Sequence, residues 1–128
     1  MMLLPTKNFN ISEFACKHCG ENQTRQQVID LAQKIRDFVG VPVRINSGYR
    51  CPFHNKRVGG VSNSYHVQGL AADLSCSLGA VSLFTAIRRL YELGAIPELS
   101  FCLLYRKRNF VHVDIGKTRK GGIFHEQN

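Results

Sequence analysis

His66 and Asp73 stand seven residues apart in SYHVQGLAADLS (residues 64–75), with Gly69, Ala71 and Ala72 between them. A second histidine, His112, lies in FVHVDI (residues 110–115), and Asp114 follows it by two positions. Taken singly these residues are ordinary: a lone histidine on a strand is usually a packed or surface residue, and one aspartate can simply cap a turn. Taken together, two imidazoles and a carboxylate match the three protein ligands of a catalytic zinc ion, which keeps its fourth position for water. Small residues at 69, 71 and 72 would let backbone and substrate come close to such an ion.

The elements that must position these groups follow from hydrophobic period. Ser12 is a candidate cap for a short helical turn over EFAC, ended by Gly20. Thr24 is a candidate cap for a helix whose apolar positions Val28, Leu31, Ile35 and Phe38 recur at three- and four-residue steps before Gly40 stops it. Val41, Val43 and Ile45 then alternate as in a half-buried strand, and Ser47 and Gly48 turn the chain so that Arg50 emerges just past the turn. CPFHNKRVGG predicts a short helix with Pro52 in its first turn.

Leu70 to Ser75 has the length of a strand, which would put Ala71 and Asp73 on one face and Leu70, Ala72 and Leu74 on the other. Val81, Phe84, Ile87 and Leu90 predict a second amphipathic helix closed by Gly94. SFCLLY and FVHVDI predict two late strands. In the second, Val111, Val113 and Ile115 share one face and Phe110, His112 and Asp114 the other.

The chain has 128 residues, 44% of them hydrophobic and 20% charged, a balance that fits an ordinary globular protein and excludes wholesale disorder. We expect a single domain over residues 1–128, with its core in 11–116 and a short basic C-terminal tail in 117–128. No stretch approaches the roughly 20 apolar residues of a membrane span. MMLLPTKNFN lacks the basic and apolar regions of a secretory signal, so synthesis and accumulation in the cytoplasm are expected.

Seventeen Lys and Arg against nine Asp and Glu give a net charge of +8. Such a field attracts anionic partners, among them nucleic acid, acidic membranes and anionic cell-wall polymers. A specific nucleic-acid binder is disfavoured, because the basic residues are not interleaved with stacking aromatics.

Five cysteines (16, 19, 51, 76 and 102) cannot all pair within one chain. The C-x-x-C of CKHCG suits a zinc knuckle at Cys16 and Cys19, but no second C-x-x-C follows. A structural ion there would need partners such as His18, Cys51 or Cys76. Buried thiols or a redox-sensitive pair are the competing readings.

SGYRCPFHNKRVGGVSNSYHVQGLAADLS (residues 47–75), taken with FVHVDIG (residues 110–116), resembles the zinc D-alanyl-D-alanine carboxypeptidase family, the peptidoglycan peptidases of the M15A type. The shared pattern is S-G-Y-R at residues 47–50, then Ser64, His66, Gly69, Ala71 and Asp73, then His112 and Asp114. SEFACKHCG is also similar to the family's small phage and bacterial members.

The resemblance implies an α+β fold, in which a small antiparallel sheet carries the site on one face and packs helices on the other. It implies one catalytic Zn2+ held by His66, Asp73 and His112. Arg50 would hold a substrate carboxylate or stabilise an oxyanion, for which a guanidinium's planar fork of donors is well suited. Asp114 would orient a ligand histidine, Ser64 and Tyr49 would support the site, and His54 and Asn55 would be structural.

The implied activity is hydrolysis of an amide bond in peptidoglycan stem peptides, by a carboxypeptidase or an endopeptidase. A phage lysis protein or a wall-remodelling enzyme that reaches the cell wall after release would fit. The chain departs from the pattern in one respect. Several relatives place Glu, Asp or His shortly before the last zinc histidine, whereas residues 106–111 here read RKRNFV. Asp114, Tyr105, Glu98 and His125 are then the candidates for a general base. The alternative function is a catalytically inactive, zinc-bound module that binds cell-wall peptides.

Overall fold

The computed structural model describes residues 2–128. A 3-10 turn (Ile11–Phe14) opens the fold, capped by Asn10 rather than Ser12. The Asn10 side chain accepts the Glu13 amide and Glu13 reaches back to the Asn10 amide. Helix α1 (Gln26–Val39) then buries Val28, Ile29, Leu31, Ala32 and Ile35 and ends at Gly40. Its cap is Arg25, one residue later than expected. Thr24 is buried instead, with its hydroxyl donating to the Phe14 carbonyl. Phe38, placed on the core face by its spacing, stays exposed near the helix end.

Five strands and two further helices follow: β1 (Val43–Ser47), α2 (Pro52–Arg57), β2 (Ala71–Cys76), α3 (Ala80–Glu92), β3 (Phe101–Tyr105), β4 (Phe110–Asp114) and β5 (Phe124–Gln127). The sheet order is β1-β2-β4-β3-β5. The first four strands pair antiparallel, as the α+β expectation requires. Strand β5 lies in the segment expected to be a basic tail. It adds to the edge in parallel with β3, and Phe124 packs there against Phe84 and Tyr91 of α3. Among the described residues, no helix is long and apolar enough to cross a membrane.

Alternation along the strands divides the sheet into two faces. Val43, Ile45, Ala72, Leu74, Cys102, Leu104, Val111 and Val113 join α1 and α3 in one continuous core. Ala71, Asp73, Phe110, His112 and Asp114 therefore lie on the opposite face. Strand β1 carries a register irregularity between Ile45 and Ser47. One extra residue there lets Ile45 stay in the core while Ser47, paired with Asp73, lines the opposite face.

Residues 59–69 bring His66 over the sheet. The loop is tied by the Arg50 amide to the His66 carbonyl (3.2 Å) and by the Arg25 amide to the Gly69 carbonyl (2.8 Å). Gly69 has φ +74°, and a Cβ there would stand 1.9 Å from the Gln23 carbonyl oxygen. Both the conformation and the contact demand glycine. Gly69→Ala is expected to cost about 2–4 kcal/mol, the range of a backbone clash in a strained turn. Urea unfolding of the variant beside the parent measures it.

Candidate metal centre

Cross-strand register does most of the assembly. Asp73 on β2 pairs directly with His112 on β4, which places their side chains side by side on the face away from the core. Asp73 Oδ1 is 3.0 Å from His112 Nδ1 and 3.2 Å from His66 Nε2. The three side chains can present one ligand atom each within 4.8 Å of one another, so all three residues expected to hold zinc are brought together.

Each imidazole is fixed through its other nitrogen. His66 Nδ1 lies 2.8 Å from the Gly48 carbonyl. A carbonyl only accepts, so Nδ1 carries a hydrogen, and it is Nε2 whose lone pair is available to an ion. His112 Nε2 lies 2.8 Å from Asp114 Oδ2, and its proton on that side leaves Nδ1 facing Asp73. Asp114 is fully buried and is also touched by the Gly116 amide (3.3 Å) and Arg119 (3.3 Å). Its geometry is that of a carboxylate that orients a ligand histidine, the arrangement common around zinc.

The electrostatics of the cluster call for a cation. Burial would raise the Asp73 carboxyl, but the hydrogen bond from His112 and the nearness of both imidazoles outweigh it and hold the group well below the ordinary carboxylate range. Burial likewise opposes charging of His112, yet its bonds to Asp114 and Asp73 bring it up to about 9. His66 Nε2 is buried and has no hydrogen-bond partner, although the Asp73 oxygen is close. A lone-pair nitrogen, an ionised oxygen and a second nitrogen that draws a proton between acceptors form a site that fits a divalent ion. Two nitrogens and one oxygen suit zinc, with a position left for water.

These groups floor a cleft of about 630 Å³. Arg50 reaches into it, with one guanidinium nitrogen 3.9 Å from Asp73 Oδ2 and Nη1 3.2 Å from Asn55 Oδ1. Its Nε has no partner, so the guanidinium is left short of acceptors. Burial lowers its pKa from the free value, against the opposing pull of Asp73.

Asn55 holds Arg50 and also donates to the Val61 carbonyl (2.7 Å), so a residue expected to be merely structural positions the cleft's central cation. Lys17, Arg108 and Arg119 also line the cleft, and Arg108 and Arg119 lie over the Phe110 and Phe101 rings of a wall that Leu103 completes. No local pattern in the sequence marks Arg119. It belongs to the presumed tail, yet it stacks 3.8 Å from the Phe101 ring centroid and bonds Asp114.

The other expected residues fall in different places. Ser64 accepts the His66 amide through Oγ (3.1 Å). Tyr49 packs with Cys16 and Cys51 away from the ligands. Tyr105 lines the cleft, its hydroxyl pushed up by burial and by Asp73, so it keeps its proton at neutral pH. Glu98 pairs with Lys34 at 3.1 Å and does not line the cleft, and His125 lies against the Phe101 ring beyond its wall. Asn109, three residues before His112, is engaged elsewhere: its Oδ1 accepts the Ala80 amide at the start of α3.

The family model described as Peptidase M15 matches residues 6–114, from ahead of the 3-10 turn to the end of β4. No curated protein gives a significant match.

Two substitutions test the centre. His66→Ala is expected to abolish zinc binding at this site. Asp114→Asn, which keeps the size of the side chain and loses its charge, is expected to weaken zinc affinity about 10–100-fold. Titration against a chromophoric chelator reads both.

Proposed function

The chain belongs to the M15 peptidase family, a zinc D-alanyl-D-alanine carboxypeptidase-type family, and from that premise we propose that it hydrolyses an amide bond involving a D-amino acid in peptidoglycan stem peptides. The observation that carries this reading is the convergence of His66, Asp73 and His112 at the floor of a cleft that also holds a guanidinium short of acceptors.

His66 Nε2, one Asp73 oxygen and His112 Nδ1 would hold the ion. When bound, zinc supplies a Lewis acid for the scissile carbonyl and lowers the pKa of a bound water toward about 7. Gly48 and Asp114 accept from the far nitrogens, which would leave His66 Nε2 and, once its proton is displaced by the ion, His112 Nδ1 as the ligand atoms. Arg50 binds a stem-peptide carboxylate or the oxyanion, with Asn55 fixing its approach. Lys17, Arg108 and Arg119 add positive potential that draws in a peptide bearing carboxylates. Phe101, Leu103 and Phe110 form a low-dielectric wall that strengthens these interactions and suits small apolar side chains. No acyl-enzyme is required, so no cysteine need act as a nucleophile.

One observation favours a second reading, a zinc-bound module that holds wall peptides without cutting them. Among the described residues lining the cleft, Asp73 is the only carboxylate, and it is committed to the metal centre. None of residues 106–111 just ahead of His112, RKRNFV, carries a carboxylate or imidazole that could take the water's proton. The basic surface would in either case bind anionic wall polymers, an attraction that salt weakens. Action on the wall would follow release or delivery, as in a phage lysis protein or a remodelling enzyme.

Mass spectrometry of purified peptidoglycan separates the two readings. Zinc-loaded protein is expected to release new stem-peptide fragments, and chelation or His66→Ala to abolish them. Arg50→Ala is expected to lower kcat/KM about 100-fold or more with zinc content unchanged. Intact stem peptides retained by zinc-loaded protein would overturn hydrolysis and establish the binding module.

A further inference from the structure

Cys16, Cys19 and Cys51 meet outside the peptide cleft, with one sulfur from each inside a 4.8 Å cluster. Cys51 is 35 residues from Cys16 in sequence and sits at the start of α2. His18 Nδ1 lies 3.7 Å from Cys51 Sγ. Cys76, the other sulfur offered by the sequence, pairs with Val43 at the end of β2 and lies outside the group.

The local backbone is shaped around these sulfurs. The Cys16 amide donates to the Glu21 carbonyl (2.7 Å), the Gly20 amide to the Cys16 carbonyl (2.9 Å), and Gly20 takes φ +78°. This tight turn brings two thiols separated by two residues to one side. Backbone amides also point at sulfur: Cys51 N donates to Cys16 Sγ and His54 N to Cys51 Sγ, each at 3.4 Å. Cys16 and Cys51 are buried with Tyr49, while Cys19 is exposed at the rim.

We propose that Cys16, Cys19 and Cys51, with His18 as the fourth donor, bind a second, structural zinc ion. Three thiolates and an imidazole make a closed tetrahedral set with no position left for substrate. The ion staples the turn after residue 14 to the segment that carries Tyr49 and Arg50, so it braces one wall of the cleft without touching the peptide. It shares no ligand with the His66 centre, and either site can be lost while the other remains.

Metal analysis of the full chain, purified under reducing conditions with zinc, decides the matter. The expected content is two zinc ions per chain in the parent, one in His66→Ala, one in Cys19→Ser and none in the double variant. Cys19 is the residue to change because it is exposed, and circular dichroism checks that the variant is folded. Cobalt-loaded His66→Ala is expected to show thiolate-to-cobalt charge-transfer bands that Cys19→Ser removes, and His18→Ala is expected to weaken binding at this site.

Zinc content that Cys19→Ser leaves unchanged would overturn the proposal, as would cobalt-loaded His66→Ala without thiolate bands or a disulfide among the three cysteines that persists through purification under reducing conditions. Unchanged affinity in His18→Ala would overturn the assignment of the fourth donor. One ion, lost in Cys19→Ser and kept in His66→Ala, would support this site while defeating the hydrolase reading.

Discussion

Asp73 carries a negative charge in a largely enclosed place, and removing a carboxylate from water costs several kcal/mol unless partners compensate. The compensation here is local and geometric. His112 arrives from the paired strand, His66 from the loop above, and Arg50 from the turn after β1. Each partner needs its own support, and much of the site face is accounted for by that chain of requirements. The β1 irregularity turns Ser47 toward Asp73, the Gly48 carbonyl aligns His66, and buried Asp114 aligns His112. Ala71, paired with Asp114 across the strands, supplies the room that carboxylate occupies.

The same alternation that forms the core also aims the chemistry. Ala72 and Leu74 pack under the helices while Ala71 and Asp73 take the other face of the sheet; Val111 and Val113 do so while His112 and buried Asp114 take that other face. A register slip of one residue would exchange the faces, burying the ligands and exposing the core residues. Hydrophobic packing thus specifies the position of the metal ligands even though it contributes no ligand itself. Stability and site geometry are two readings of one pairing pattern.

This coupling explains what was legible in the sequence. Strict alternation in FVHVDI and its weaker form in LAADLS identified the correct face for His112, Asp114 and Asp73, because period two is written directly in residue type. The helices were legible for the same reason. Boundaries were less so: Thr24 has a good capping side chain, but it is drawn into the interior by the Phe14 carbonyl, and Arg25 caps without a side-chain bond. Strand β5 escaped notice because Phe124–Gln127 is short and partly exposed, and parallel pairing with distant β3 leaves no local signature. Arg119 and Asn55 escaped for a related reason. Their roles come from contacts with Asp114 and Arg50 that only the folded chain creates, and neither occupies a spacing that marks it.

Residues 48–51 show how closely separate tasks are packed along one stretch of backbone. The Gly48 carbonyl fixes His66, the Tyr49 ring packs on the cysteines, Arg50 enters the cleft, and Cys51 turns its sulfur toward Cys16. Consecutive side chains on an extended segment point in opposite directions, so Arg50 is free to serve the cleft because its neighbours are anchored elsewhere. The Tyr49 amide bonds the Phe14 carbonyl and the Arg50 amide bonds the His66 carbonyl, which ties the segment to the N-terminal turn and to the ligand loop at once. An arginine side chain has many rotatable bonds, and the entropy of holding its guanidinium falls when its backbone and Asn55 have already fixed its approach. The arginine is therefore positioned before any peptide arrives, and precise recognition of a small anionic group depends on such positioning.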